Sequence, residues 1–522
     1  MKKTWIACVC LAGVAVSQEQ PGPERRLDAR MVAVDVVVRN KSGPVSGLTK
    51  DDFTLLDKGK PQEIAIFQAV PEPDPNAKLS PPSPAVGSNR VTRAGATPQS
   101  ATVILYDRVN TPVSEQAFAR KQVLALLSSM KESDRFAFYS LARTLSVVTD
   151  FTDEPGKLIH AAIRLNANAP QAAPAEPAEQ AAQKALEEAL VPQQTLDNVY
   201  RVKVTAKAFE IITRHLAGLP GRKNVAWITR TFPLTFGADV NRRNELDKEI
   251  SDATTALQNE DVALYPINPG GAGIGQTDTT TPNTPTEGRL MPRANSSISD
   301  AGAISDTSTM ENIATATGGL AFYGINEISS SVRQVMSEAE LSYRLGYYPD
   351  SKTFDGKPHS IEVKLARKVE SGGVTLRYRK RYLASKQAPR LGTPAAGELA
   401  MEPLDATAVT LAGYSEPDPA RAGWQKVHVM VDLRDLRLEH NGERWVGGFE
   451  LGIYIVNANP PYGSTQTINL NLTDDQVKKA IGSGMIVDSA IDTKNQAVQI
   501  RAVVRDKTTG AAGSVRIPAG GQ

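Results

Sequence analysis

Asp107, Asn110 and Thr111 are the residues of this sequence best placed to bind something. They close a short, nearly continuous apolar run, ATVILYD, that begins at Ala101. Its length and its freedom from polar breaks predict a strand buried on both faces, as in a parallel sheet. The acid then stands at the carboxyl end of the strand, with an amide and a hydroxyl just beyond it. In open α/β sheets ligands bind at that edge. Thr111 is expected to cap the following helix, with Pro112 at its first position.

Other chemistry-bearing patterns read more blandly. Gly270 to Gly275, GGAGIG, resembles a phosphate loop in composition, but Thr- and Pro-rich sequence follows it. Without a helix N-terminus to hold a phosphate it reads as a flexible loop. The five histidines (His160, His215, His359, His428 and His440) form no HExxH pair. His215 lies on an apolar helix face and reads as a satisfied core or surface residue. No GxSxG elbow and no GxxxxGK[ST] loop occurs. Asp150 and Asp153 sit near a helix start and are expected to favour its dipole. From Arg377 to Tyr382, strand alternation would put Arg377, Arg379 and Arg381 on one face and Tyr378, Lys380 and Tyr382 on the other. That pattern reads as a solvated sheet face. Nucleic-acid binding would need a larger basic surface, and a net charge of +2 supplies no such pull.

The elements that must position these residues follow from periodicity. Strands are predicted at Met31–Arg39, Phe53–Leu56 and Glu63–Phe67, a β unit of residues 28–70 too small for a good core of its own. Residues 71–100, rich in Pro, Ala, Ser and Gly, read as a linker. From Ala101 strands and helices alternate. Strands are expected at Phe136–Leu141, Leu145–Val148, Asn224–Thr229, Val262–Ile267 and Leu320–Tyr323. Helical spacing runs through Val123 to Met130, Val204 to Leu219, Leu246 to Leu257, Met310 to Thr317 and Ile328 to Met336. This alternation over residues 101–340 predicts a doubly wound α/β domain. Strand patterning returns at Leu341–Tyr348, Ser360–Leu365 and Val374–Tyr382, within 341–384. These strands are expected to pair with the first ones, so that the α/β domain is inserted in a β-sandwich. Residues 385–402 read as a second linker. Residues 403–522 read as a C-terminal β-sandwich, with strands at Ala406–Ala412, Gln425–Leu433, Val446–Val456 and Ala497–Val504 and one helix at Asp474–Ile481.

The 522 residues, 41% of them hydrophobic, are enough for several cores. Lys2 and Lys3, the apolar run Trp5–Val16 and the small residues Ala15 and Ser17 read as a secretory signal peptide over 1–17. Cys8 and Cys10 are the sequence's two cysteines, and both fall inside that segment. The mature chain would then have no disulfide, thiol nucleophile or thiolate metal site. No later stretch is long and apolar enough to span a membrane, so a soluble protein outside the cytoplasm is expected.

Seven further signatures run in order: VSGLTKDDFTLLDKGKPQEIAIF (Val45–Phe67), DRFAFYSL (Asp134–Leu141), VVTDFT (Val147–Thr152), GRKNVAWIT (Gly221–Thr229), ATGGLAFY (Ala316–Tyr323), YRLGYYP (Tyr343–Pro349) and VVRDKTTGAAGSVRIP (Val503–Pro518). With the strand ending at Asp107, this ordered set resembles the von Willebrand factor type A-related proteins of Acidobacteria. The resemblance implies a secreted or periplasmic protein whose Rossmann-like domain is used for binding. It also implies where a divalent cation would sit. Type A domains often place Asp-x-Ser-x-Ser after the first strand, with a Thr and a second Asp from later loops. Asp107 and Thr111 fill two of those positions, whereas Val109 cannot ligate and the later strand reads Trp227-Ile228-Thr229-Arg230 without an acid. The resemblance therefore implies a degenerate adhesion site with weak affinity for Mg2+ or Mn2+ at most. Asp107 is expected to cap its loop amides or to pair with a base such as Arg230. No other cofactor is expected. The leading expectation is a non-enzymatic adhesion protein engaging a protein partner. An extracytoplasmic hydrolase and a structural envelope component remain as alternatives.

Overall fold

In the computed structural model, the described residues are 31–70, 86–90, 100–131, 136–151, 156–160, 162, 184–186, 198–219, 221–230, 232, 240–269, 309–325, 327–349, 355, 357–370, 372–384, 394–494, 496 and 498–518. The signal-like segment, Asp153 and the GGAGIG loop lie outside them.

The chain opens with β1 (Val32–Asn40), β2 (Gly43–Pro44), β3 (Phe53–Asp57), β4 (Lys60–Gln62) and β5 (Ile66–Val70). Then comes β6 (Gly87–Ser88), which corrects part of the linker reading. It pairs with a strand near residue 412, and the buried Asn89 donates to the carbonyls of Ala406 and Val409, both at 2.8 Å. A five-residue anchor held by a two-residue ladder and the Ser88 and Asn89 side chains has no periodicity for a sequence pattern to show.

Next come β7 (Ser100–Asp107), α1 (Val113–Ser129), β8 (Ala137–Leu141), β9 (Leu145–Thr149), α2 (Asn198–Leu216), β10 (Arg222–Ile228), α3 (Val240–Asn259), β11 (Val262–Ile267) and α4 (Ile328–Glu340). The sheet runs β11-β10-β7-β8-β9, parallel except for the β8–β9 hairpin. Both faces of β7 are buried, which is why it reads as an unbroken apolar run. Val103 and Leu105 point into a core with Phe209 and Ile212 of α2 and Leu257 of α3. Ile104 and Tyr106 point the other way, against Val123 and Leu127 of α1 and Val332 and Val335 of α4. Helices therefore cover both faces. Pro112, not Thr111, is the N-cap residue of α1, and it makes no side-chain cap.

The chain returns as β12 (Ser342–Tyr347), β13 (Pro358–Leu365), α5 (Arg367–Glu370), β14 (Thr375–Arg377) and β15 (Arg381–Leu383). Two sheets result, β14-β1-β12-β5 and β15-β13-β3-β4, sharing one core of Val34, Val36, Leu55, Leu345, Ile361 and Val363. The single strand expected over 374–382 is two short ones that belong to different sheets. The solvated face expected there is also corrected. Arg379 is buried, donates to the backbone oxygens of Gln258 and Ala33, and lies 3.3 Å from Asp261, while Arg377 pairs with Glu338. These arginines clasp the β1-containing sheet to the helices of the parallel sheet.

After α6 (Ala396–Met401) come β16 (Leu411–Pro417), β17 (Trp424–Val431), β18 (Glu439–Asn441), β19 (Arg444–Ile455), β20 (Tyr462–Leu472), α7 (Asp474–Ser483), β21 (Met485–Asp492), β22 (Ile500–Asp506) and β23 (Ala512–Ile517). One sheet is β21-β17-β16-β6. The other is β18-β19-β22-β23, with β20 on β19, and a common core with Val429, Phe449, Ile453 and Val504 lies between them. The stretch read as a second linker thus includes α6, whose Leu399 and Ala400 pack on Val503.

The end of α2 meets residues 402–407. Arg214 forms a buried pair with Glu402, its Nη2 donating at 2.6 Å, and Thr407 N donates to Arg214 O at 3.1 Å. Gly218 is required at this seam, because a Cβ there would stand 2.0 Å from Thr407 O. Gly218→Ala is expected to destabilise the protein by about 1–3 kcal/mol through overpacking. An unchanged urea midpoint for this variant would contradict the seam.

Candidate functional site

Strand register builds the edge around Asp107. Trp227 of β10 lies opposite Leu105 of β7. With a period of two, Asp107 projects on the same face as Leu105, one step further along. The indole spans that step, and Trp227 Nε1 donates to Asp107 Oδ2 at 2.8 Å. Asn110 supplies two more donors, its backbone N to Oδ1 at 3.0 Å and its Nδ2 to Oδ2 at 2.7 Å. Asn110 is itself held by Thr205 Oγ1, 2.8 Å from Nδ2, and by Arg201 Nε, 3.1 Å from Oδ1. Phe209 and Phe232 pack edge-on against Trp227, at centroid distances of 5.1 and 5.3 Å. Asp107 is 0% exposed. Burial pushes its carboxyl upward, and the hydrogen bonds from Asn110 and Trp227 only partly oppose this.

The two residues proposed as ligands are close together, but not as a cradle. Thr111 Oγ1 donates to the backbone carbonyl of Asp107 at 2.7 Å. Gln116 Nε2 fastens the same turn through Thr111 O at 2.9 Å and Arg108 O at 3.2 Å. The first serine position is taken by Val109, which packs into the core with Trp227. A hard cation needs several oxygen ligands, and here three N–H groups already bond the Asp107 carboxylate, two on Oδ2 and one on Oδ1.

Arg230 does not reach Asp107. It pairs with Glu115 of α1, and its Nη1 donates to Asn268 Oδ1 at 3.1 Å. Trp227 has taken the position of the expected base because its side chain points along the edge, whereas Arg230 lies beyond the strand and turns towards β11. The Glu115 and Arg230 side chains are 38% and 33% exposed, so this pair lies at the surface of the same sheet edge.

A second polar cluster was not legible in the sequence. Asp150, expected to serve a helix dipole, accepts Tyr139 OH at 2.8 Å, Phe151 N at 2.9 Å and His215 Nε2 at 3.1 Å. His215 Nδ1 lies 2.7 Å from Asp405 O. Both ring nitrogens thus face acceptors, which only an imidazolium can satisfy. Burial alone would lower the His215 pKa, but the Asp150 charge, its hydrogen bond and the Asp405 carbonyl raise it above 6.5. Burial would raise that of Asp150, but His215, Tyr139 and the Phe151 amide bring it down to about 2. Residues 139, 150, 215 and 405 meet only through tertiary structure, so no local spacing announces them.

No protein-family model and no curated protein matches the chain. Solved structures give distant likenesses. A von Willebrand factor type A protein from Catenulispora acidiphila aligns at 11% identity over 61% of this chain and 79% of its own, with a TM-score of 0.25. An aerotolerance-related membrane protein from Bacteroides fragilis aligns at 12% identity over 46% of this chain and 100% of its own, with a TM-score of 0.23. A mutant PilB minor pilin from Streptococcus sanguinis aligns at 9% identity over 47% of this chain, which spans 62% of the pilin, with a TM-score of 0.28. Likenesses this low assign no function. Among the described residues, no helix is long and apolar enough to cross a membrane, and no group of three or more His, Cys, Asp or Glu is placed to hold a metal.

Two outcomes follow. Asp107→Ala strands the Trp227 and Asn110 donors in a dry site and is expected to cost about 2–4 kcal/mol; a loss below 1 kcal/mol by denaturant titration would show that they find other partners. The stabilisation from a protonated His215 is fully present below its ordinary value of 6.5 and is lost as pH rises through its higher folded value. That from ionised Asp150 is present above 3.8 and is lost as pH falls through about 2. Thermal midpoints of the wild type should therefore fall from pH 6.5 upward, and His215→Gln should flatten that limb. Parallel curves for the two proteins would refute the imidazolium.

Proposed function

We propose that this chain is an extracytoplasmic binding protein of the von Willebrand factor type A kind, serving attachment and not turnover. In this reading residues 101–340 form a doubly wound domain inserted in a sandwich built from 28–70 and 341–384. Residues 1–17 direct export, and 403–522, joined by β6 and α6, form the C-terminal sandwich. The supporting observation is the construction of the ligand-side edge of the parallel sheet. Asp107 accepts three fixed N–H donors and locks the β7–α1 turn, and an ion pair, Glu115–Arg230, lies partly exposed at the same edge. That is a rigid charged platform suited to a complementary protein surface. In this reading binding needs no cation, because N–H donors hold Asp107 in place.

Cross-linking capture from envelope extract tests this. A discrete partner should be captured by the wild type equally with and without EDTA. It should be lost with Arg230→Glu and regained in part with Arg230→Glu combined with Glu115→Arg. Capture that EDTA abolishes would restore a metal-dependent site. Capture indifferent to Arg230→Glu, or no discrete partner at all, would remove the platform.

A further inference from the structure

The C-terminal sandwich has one long sheet edge without the usual protection. Strand β20, YGSTQTINLNL, contains no charged residue and no proline. Among the described residues its ladder partner is β19 alone, in a register running from Trp445 opposite Leu472 to Ile455 opposite Tyr462. Residues 463–467 are all exposed. Natural edges are blunted by Lys, Pro, bulges, shortness or a cover, because a bare edge templates another strand. The molecule uses these devices elsewhere. Edge strand β4 is three residues long and holds Lys60 and Pro61. Edge strand β21 carries Asp488 and Asp492. The outer side of β23 is covered by residues 406–409, with Val409 N on Ala512 O at 3.1 Å and Ser514 N on Ala406 O at 2.9 Å.

We propose that the β20 edge is a self-association surface, paired antiparallel with β20 of a second copy of this chain. The charges at its two ends select that occupant. At the Tyr462 end, the Lys494 ammonium sits 4.4 Å from the Tyr462 ring centroid. At the Leu472 end, Asp474 and Asp475 open α7, and the Asp474 side chain is 66% exposed. A two-fold axis through Thr467 sets each Tyr462 opposite the second copy's Leu472. The Lys494 end of either copy then meets the Asp474–Asp475 end of the other. Inside the pairing Thr467 faces its own copy and Thr465 faces Asn469, so no like charges oppose, and threonine pairs are favourable across antiparallel strands. The arrangement is isologous and closes after two copies. It joins two five-stranded sheets into one continuous sheet and leaves no β20 edge exposed.

Sedimentation velocity of the purified protein over a concentration series tests this, with amide hydrogen exchange as the second readout. The wild type should dimerise, and exchange at residues 462–472 should slow as concentration rises. Thr467→Lys puts two ammonium groups together at the axis and should weaken dimerisation at least about tenfold, with far-UV circular dichroism unchanged. A wild type that is monomeric throughout, a dimer indifferent to Thr467→Lys, or exchange at 462–472 independent of concentration would overturn the proposal. If Thr467→Lys fails to fold, the wild-type exchange series decides alone. Protection that appears only when envelope extract is added would assign the edge to another protein's strand and would also overturn it.

Discussion

A carboxylate with no exposed surface must find its donors within its own protein, and Asp107 sets that requirement at the centre of this molecule. Leaving one buried donor or acceptor unpaired costs about 1–3 kcal/mol, a sizeable part of the 5–15 kcal/mol by which a domain is held together. Meeting the requirement fixes several elements together. Trp227 must stand in register with Leu105, so β10 cannot slip on β7. Asn110 must fold back on Asp107, so the turn into α1 has one shape. Thr205 and Arg201 must hold Asn110, so α2 is docked on the same face. One acid thus ties two parallel strands, a turn and a helix at the edge where α/β sheets bind their ligands.

The remaining buried charges hold the parallel sheet to its neighbours. At its base, Arg222 of β10 donates to Tyr265 OH and Gly318 O, both at 2.7 Å, and Tyr265 OH donates to Glu338 at 2.7 Å. Arg344 meets Asp35 through two bonds of 2.9 Å across the β1–β12 pair. Such pairs add little over well-packed apolar residues, but removing one partner costs roughly 3–5 kcal/mol. They therefore specify the position of the sheets more than they add stability. On the side of α2, Arg214–Glu402 and His215 with Asp150 and Asp405 do the same for the C-terminal region. The His215 contact depends on a proton, and its stabilisation is lost as pH rises through a folded pKa above 6.5.

The sequence shows those features whose cause is local. The strands of the parallel sheet are legible because two-faced burial leaves an unbroken apolar run, as in VILY and VAWI. β13 is legible because its burial alternates residue by residue. In β20 only the second half carries a signal, Ile468, Leu470 and Leu472 alternating with Asn469 and Asn471, because residues 463–467 are exposed and hold no apolar side chain. Arg379 reads as a surface residue until β15 is seen to leave the sheet of β14, which carries the intervening arginine inward. At the site, the position of Asp107 follows from where an apolar run stops. Its partner does not. An arginine three residues past Trp227 is the obvious base by charge, and only the register between β7 and β10 shows that the indole reaches first. Asn89 and His215 are silent for a related reason, since their partners lie 65 or more residues away.

The most direct measurement of whether Asp107 is saturated from within is the nitrogen–proton NMR signal of the Trp227 indole. The account predicts a strongly hydrogen-bonded proton, slow to exchange, whose shift stays constant as Mg2+ is added to saturating levels for an ordinary carboxylate site. A proton that exchanges freely, or a shift that moves saturably with Mg2+, would show that the carboxylate is open to a cation and would contradict it.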